Sequence, residues 1–342
     1  MTDDSTDSSD EEQPRSEFQA DPLAHASVNE EMTVGELAAQ YGNAGVGAAS
    51  LSEAIDISAE MLDSEDVRIF LGLAGAMVPA GMGQIVTDLI RDGHVDALVT
   101  TGANLTHDTI EAIGGSHHHG RTPGEQTVER AREHDETLRE EGVDRIYNVY
   151  LPQEHFATLE THLRDRVFPE IERRVSIQEL TAKLGEKNAA YNREEDIDAD
   201  AGIAAAAAEC DVPIYCPAVQ DSVLGIQAWS YSQISEFSLD ALADMTQLTD
   251  LAYDAERAGA LVVGGGVPKN YVLQAMLVTP GAYDYGVQLT MDPEHTGGLS
   301  GASLDEARSW GKLEPSAENA TVVGDTTITF PLLVAAAREQ LA

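Results

Sequence analysis

The chain has 342 residues, 42% of them hydrophobic and 5% aromatic. That is enough to bury one large α/β core or two smaller ones, and too poor in aromatics to suggest a β-sandwich. Sixty acidic residues stand against twenty basic ones, a formal net charge of −40, and no basic stripe exists to meet phosphates, which excludes direct nucleic-acid binding. No apolar stretch reaches the roughly 20 residues needed to span a bilayer, and the acidic N-terminus lacks the basic start of a secretory signal; both point to a soluble cytoplasmic protein with no membrane partner.

Residues 1–31 form an acidic, Ser/Asp/Glu-rich tail with too few apolar residues to fold alone, so it is expected to be disordered. Residues 32–342 read as one continuous catalytic domain. Thr33 and Glu36 make a capping-box start for a first helix, and 50–63 read as a second. A repeated pattern follows: strand 68–73 ending in glycine, helix 81–92, strand 95–101, then a helix over 107–113. Residues 114–144 are a polar excursion with His117-His118-His119 and a charged helix. Helices are expected over 154–167 and 176–185, a charged loop over 186–199, an alanine-rich helix over 201–210 and a short strand over 213–217. Leu239–Ala258 reads as helix, Ala260–Val263 as a fully apolar strand and Tyr285–Thr290 as another. A short helix or turn over 305–312, a segment 321–325 and a helix over 330–340 close the chain. Strand, glycine-containing loop and helix in succession specify a Rossmann-like parallel sheet with helices on both faces and ligand loops at the C-terminal ends of its strands.

Several features bear on chemistry. Gly264-Gly265-Gly266 after Val262-Val263 lets backbone approach a phosphate or ring closely with its N–H groups exposed, although a tight turn has the same sequence. The histidine run suits a solvated loop or a phosphate contact better than a metal, and no metal site is expected. Cys210 and Cys216 lack ligand spacing and read as small buried residues. The only lysines are Lys183, Lys187, Lys269 and Lys312.

The segment Ser303-Leu304-Asp305-Glu306-Ala307-Arg308-Ser309-Trp310-Gly311-Lys312 resembles the hallmark of the deoxyhypusine synthase family, whose catalytic lysine ends a Ser-Trp-Gly-Lys motif. The resemblance continues in Gly324-Asp325 and Phe330-Pro331-Leu332-Leu333, and upstream in Gly264 to Lys269, Pro217 to Ser222 and Thr100 to Asn104. It covers most of residues 65–340. It implies that NAD takes a hydride from a polyamine, that Lys312 captures the resulting four-carbon unit as an imine, and that the unit passes to a lysine of the hypusine-bearing translation factor. It further implies a homotetramer with active sites at subunit interfaces. Cofactor contacts would come from Gly75, Ala76, Thr101, Gly102, His107, Asp221 on the ribose, Gly264, Gly265, Gly266, Asp325 and Thr326. Substrate contacts would come from Asn270, Gly298, Leu299, Ser300, Glu306 and Trp310. Asp221 and Asp325 have alternative readings as turn or cap residues, and Trp310 as a core residue.

This chain departs from the family's eukaryotic pattern. Gly75-Ala76 stands where Ser-Asn is usual, His107 where a glutamate is usual, and Asn270 where a histidine is usual. Ile226 and Leu299 occupy positions where carboxylates usually hold the polyamine. The Gly297-to-Gly301 loop resembles a divergent prokaryotic branch, and the donor is then spermidine or agmatine. A small-molecule transferase of homospermidine synthase type and a non-catalytic NAD-binding protein are the competing readings.

The charge itself carries a prediction. So large a net charge self-repels in dilute buffer and is tolerated where salt shortens the screening length to roughly 3 Å, near 1 M; a basic binding partner is the other explanation. A halophilic protein should lose its fold and assembly on dialysis into salt-free buffer. Circular dichroism and light scattering across a salt series check this, and a stable assembly without salt would rule it out.

Overall fold

The computed structural model describes residues 23–121 and 128–341. Six strands form one sheet: β1 (Val67–Leu73), β2 (Ala97–Thr100), β3 (Ile214–Tyr215), β4 (Arg257–Val263), β5 (Tyr283–Thr290) and β6 (Leu313–Val323). They lie in the order β6-β5-β4-β1-β2-β3, and every adjacent pair is parallel. Read from β3, this is the strand order of doubly wound dinucleotide-binding folds, with the reversal of direction between β1 and β4.

Both faces of the sheet are covered, which is why the central strands are continuous apolar runs rather than alternating ones. Leu71, Leu73, Leu98, Leu261 and Val287 enter the larger core cluster, with Ile55, Val86, Leu105, Leu180 and Phe330 from the covering helices. Phe70, Ala97, Ala258, Ala260 and Tyr283 enter a second cluster under the helices Ala241–Tyr253, Gly266–Ala275 and Leu304–Ser309. Small residues on this second face let those helices approach closely. Among the described residues no helix is long and apolar enough to cross a membrane.

Several boundaries differ from expectation for identifiable reasons. Residues 186–194 are not loop: the helix Ile177–Glu194 starts from a Ser176/Glu179 capping box and buries Leu184, Asn188 and Ala189. The charges that suggested a loop are its outer face, where Lys187 pairs with Glu170 and Arg166 with Glu194. The expected 239–258 helix is shorter, Ala241–Tyr253, because Asp240 caps its start and β4 claims Arg257 and Ala258. The helix expected at 107 begins at Gly102, with Thr101 accepting from the Asn104 N–H. The last helix runs Thr326–Leu341 with Pro331 inside it, and β6 is long, Leu313–Val323. Helices Val223–Ser232 and Gly266–Ala275 had no separate signal in the apolar pattern. Cys216 is buried as expected, but Cys210 is exposed. Of the acidic tail, residues 1–22 lie outside the described residues, and 23–29 carry no helix or strand.

The polar excursion forms a three-stranded sheet in which Val149–Pro152 pairs with both His118–His119 and Val143–Ile146. His118 and His119 are exposed on it. His117 is not solvated: its side chain is 7% exposed.

Candidate active site

The C-terminal ends of the strands form a rim. At its centre β1 and β4 leave the sheet side by side: the Ala74 N–H donates to Val263 O at 2.9 Å, and the Gly264 N–H donates to Leu289 O at 2.7 Å. Gly264 has φ +92, and a Cβ there would stand 3.0 Å from the Ala74 Cβ, so the turn admits no side chain. Gly75 and Gly266 have open space where a side chain would project. Thr101 Oγ1 lies 3.4 Å from Gly75 O, and Gly102 leaves the room that Ser222 fills. Ser222, not Asp221, caps the helix Val223–Ser232. Asp221 is exposed, and its carboxylate accepts no hydrogen bond from the described residues. Asp325 is engaged locally: its Oδ1 accepts from the Thr327 N–H at 2.9 Å and from the Thr327 hydroxyl. Thr326 Oγ1 lies 3.4 Å from the Met77 sulfur, and Ala76 sits in the same turn. The rim thus gathers Gly75, Ala76, Thr101, Gly102, Asp221, Gly264, Gly265, Gly266, Asp325 and Thr326.

Lys312 starts elsewhere. Its carbonyl accepts from the Tyr283 N–H at 3.0 Å, at the beginning of β5. The rim meets β5 at Leu289, six residues on, or about 20 Å at the usual rise of a strand. The helix Leu304–Ser309 runs between the two levels. Its Arg308 donates to Glu314 O, Pro315 O and Ala317 O and to the Asn319 side chain. That guanidinium pins the irregular stretch where β6 advances from Leu313 to Glu318 while β5 advances only from Tyr283 to Tyr285. Lys312 is thereby presented from a braced turn. Its Nζ lies 5.8 Å from the centre of the Trp310 ring, within cation–π range. Burial pushes the Lys312 ammonium below the ordinary lysine range, and the charge of Glu306 opposes the shift. Trp310 is 64% exposed, so it is not a core residue, and Glu306 is exposed beside it.

The turn Leu299–Gly301 links the two levels. Ser300 Oγ accepts from the Gly266 N–H at 3.0 Å, so Gly298, Leu299 and Ser300 lie against the triple-glycine loop. Asn270, one turn into the helix Gly266–Ala275, donates to Gln274 Oε1 at 3.2 Å. His107 is the outlier. It is 9% exposed, and its Nδ1 lies 2.9 Å from His117 Nε2, while His117 Nδ1 lies 2.7 Å from Glu111 Oε1. Residues that bind the site together but were not among the expected site residues are Asn104, 1% exposed, which accepts from the Val78 N–H at 3.2 Å and donates to Thr100 Oγ1, and the buried pair Lys269 and Gln288; Asn104 and Lys269 close two of the family-like segments.

A doubly wound parallel sheet with glycine turns at its reversal point has an open crevice at the C-terminal ends of its strands, the place where α/β enzymes of this architecture bind their ligands. The family model of deoxyhypusine synthase matches residues 36–337. The "Probable deoxyhypusine synthase 1" of Methanosarcina acetivorans is 49% identical over 94% of this chain and 95% of its own. The "Probable deoxyhypusine synthase" of Methanothermobacter thermautotrophicus is 41% identical over 93% and 98%. A crystal structure from Entamoeba histolytica attributed to the same enzyme superposes with a TM-score of 0.61 at 17% identity, over 90% of this chain and 93% of that one, which bears on the fold. The chain belongs to the deoxyhypusine synthase family and is a transferase.

The His107 arrangement has a pH consequence. Burial, and then the neighbouring His117, holds the His107 pKa down to about 4. An unfolded histidine titrates near 6.5, so between these values the unfolded chain binds the extra proton. The stability this group confers is complete above roughly pH 6.5 and is lost as pH falls toward 4. His162 is lowered to about 4 as well, by burial, and acts with the same sign. His107→Gln should therefore flatten part of the acid limb of the stability profile. Urea midpoints between neutral and mildly acid pH, at constant high salt, check it.

Proposed function

We propose that this chain is an NAD-dependent aminobutyl transferase of deoxyhypusine synthase type. In this reading Lys312 carries a four-carbon unit, taken from spermidine or agmatine, to a lysine of the hypusine-bearing translation factor. The observation that supports it most is Lys312 itself: a partly buried amine of lowered basicity, over an exposed tryptophan and beside a carboxylate. Imine formation needs a neutral amine, and burial supplies it. Glu306 by itself works against neutrality; a donor ammonium that pairs with Glu306 cancels that opposition as it binds. Trp310 walls the alkyl chain and holds its cationic end.

The rim fits NAD. Open space beside Gly75 and Gly266 leaves room for backbone contact with the pyrophosphate, Thr101 and Gly102 open a helix toward it, and the uncommitted Asp221 carboxylate is an acceptor for ribose hydroxyls. Gly75, Thr101, Gly102, Gly266 and Asp221 would hold NAD there, and it would supply a reversible hydride acceptor. Within one chain Lys312 begins well below this rim, while Ile226, Trp229, Val267 and Trp310 remain exposed. A homotetramer that buries these residues and sets the lysine of one subunit against the rim of another accounts for both facts. The acidic surface suits a salt-rich cytoplasm.

Lys312→Ala should abolish transfer and leave NAD binding and the fold in place. Borohydride, added with NAD and donor amine, should trap a mass adduct on the wild-type chain only; an equal adduct on the variant would remove Lys312 from its role. Mass spectrometry of the translation factor after incubation identifies the acceptor, and a product found only on a free amine would redirect the reading to a homospermidine synthase type.

The donor follows from charge. Ile226 and Leu299 are exposed apolar side chains at positions where carboxylates would hold a polycation, a loss on the order of several kcal/mol for spermidine bound in that manner. Agmatine, with one amine and a flat guanidinium to stack on Trp310 and pair with Glu306, loses less. Competition between the two amines, read as NADH formation, should favour agmatine; rapid turnover of spermidine alone, served by Asp292 or Glu294, would overturn this. Leu299→Asp should shift preference toward spermidine by roughly ten-fold, about 1.4 kcal/mol.

A further inference from the structure

Lys269 is 1% exposed, on the helix that follows the glycine loop. An ammonium in that position costs several kcal/mol of desolvation unless it is hydrogen-bonded, and a methionine would fill the same space without that cost. Its Nζ donates to two carbonyls, Leu299 O at 3.1 Å and Ala302 O at 2.5 Å. These bracket the Leu299–Gly301 turn. Gln288, wholly buried in β5, holds the same turn from beneath: its Nε2 donates to Ser300 O at 2.8 Å and to Gly264 O at 3.1 Å. A Cβ on Gly265 would come within 2.5 Å of Ser300, so the turn sits directly on the glycine loop. The chain runs from this turn straight into the helix Leu304–Ser309 and Lys312. The charges that act on Lys269 are Glu306 on that helix and Lys312 at its end, so the two ammonium groups are electrostatic neighbours. Burial first, then Lys312, holds Lys269 down at about 8, with Glu306 opposing.

We propose that Lys269 is a positioning residue for amine transfer: its ammonium, donating to Leu299 O and Ala302 O, fixes the Leu299–Gly301 turn on the glycine loop and so sets where the following helix and Lys312 stand. The inference rests on Lys312 being the carrier lysine.

The test compares Lys269→Met, Lys269→Gln and Lys269→Arg in the full-length chain at high salt. The readouts are NADH formation with spermidine and with agmatine, NAD affinity, and the yield of borohydride trapping. Both neutral variants should raise the amine KM about ten-fold or more while NAD affinity stays within about two-fold. Lys269→Arg, which keeps charged donors for the two carbonyls, should restore most of the wild-type amine KM. A parallel loss of every readout, a Lys269→Arg variant that restores nothing, or unfolding of both neutral variants beside an unaltered Lys269→Arg would overturn the proposal and leave Lys269 a packing residue. A wild-type chain that forms neither NADH nor an adduct with either amine would overturn the transferase reading itself, and the role of Lys269 with it.

Discussion

The structure depends on one close approach, where β1 and β4 end side by side and their chains turn away in opposite directions. A parallel sheet can present a crevice only where its winding reverses, and here the crevice stays open because Gly264 carries no side chain against Ala74. The rest of the rim is arranged around that point. Thr101 closes it from β2, Ser222 packs behind Gly102, and the Leu299–Gly301 turn lies across the glycines from β5. A side chain at Gly264 would push the two strand ends apart and displace every group that leans on them.

Two kinds of electrostatics meet in this protein. Its exterior carries a large net negative charge, a long-range property that salt screens. At Lys312 the effects are local: burial lowers its basicity and the charge of Glu306 opposes. Salt screens such contacts much less, so a chain can carry a very acidic exterior while the basicity of one lysine is set locally. With four lysines in the whole chain, two of them share this neighbourhood.

The sheet was legible in the sequence because strands buried on both faces leave unbroken apolar runs, and Ile69–Leu73 and Ala260–Val263 are such runs. The Ser-Trp-Gly-Lys motif made Lys312 legible for a different reason, its specific resemblance to a family. What escaped was set by tertiary context. The helix to Glu194 looked like loop because its charged residues make ion pairs with Glu170 and Arg166 that only the fold brings near. The contact of His107 with His117 was not legible because His117 comes from a segment that looked solvated. Asn104, Lys269 and Gln288 carry no periodic signal: a buried polar side chain is recognisable only once its partners are known.

The two halves of the site are distributed along the chain in different ways. The rim is assembled from turns after five separate strands, so none of its parts can change without regard to the others. The amine side is nearly contiguous: Leu299, Ser300, Glu306, Trp310 and Lys312 all lie in the single connection between β5 and β6, braced at one end by Lys269 and at the other by Arg308. In the function proposed above, donor preference is therefore a modular trait. One crossover segment can be exchanged among related enzymes, by recombination or by design, while the half assigned to the cofactor is inherited intact.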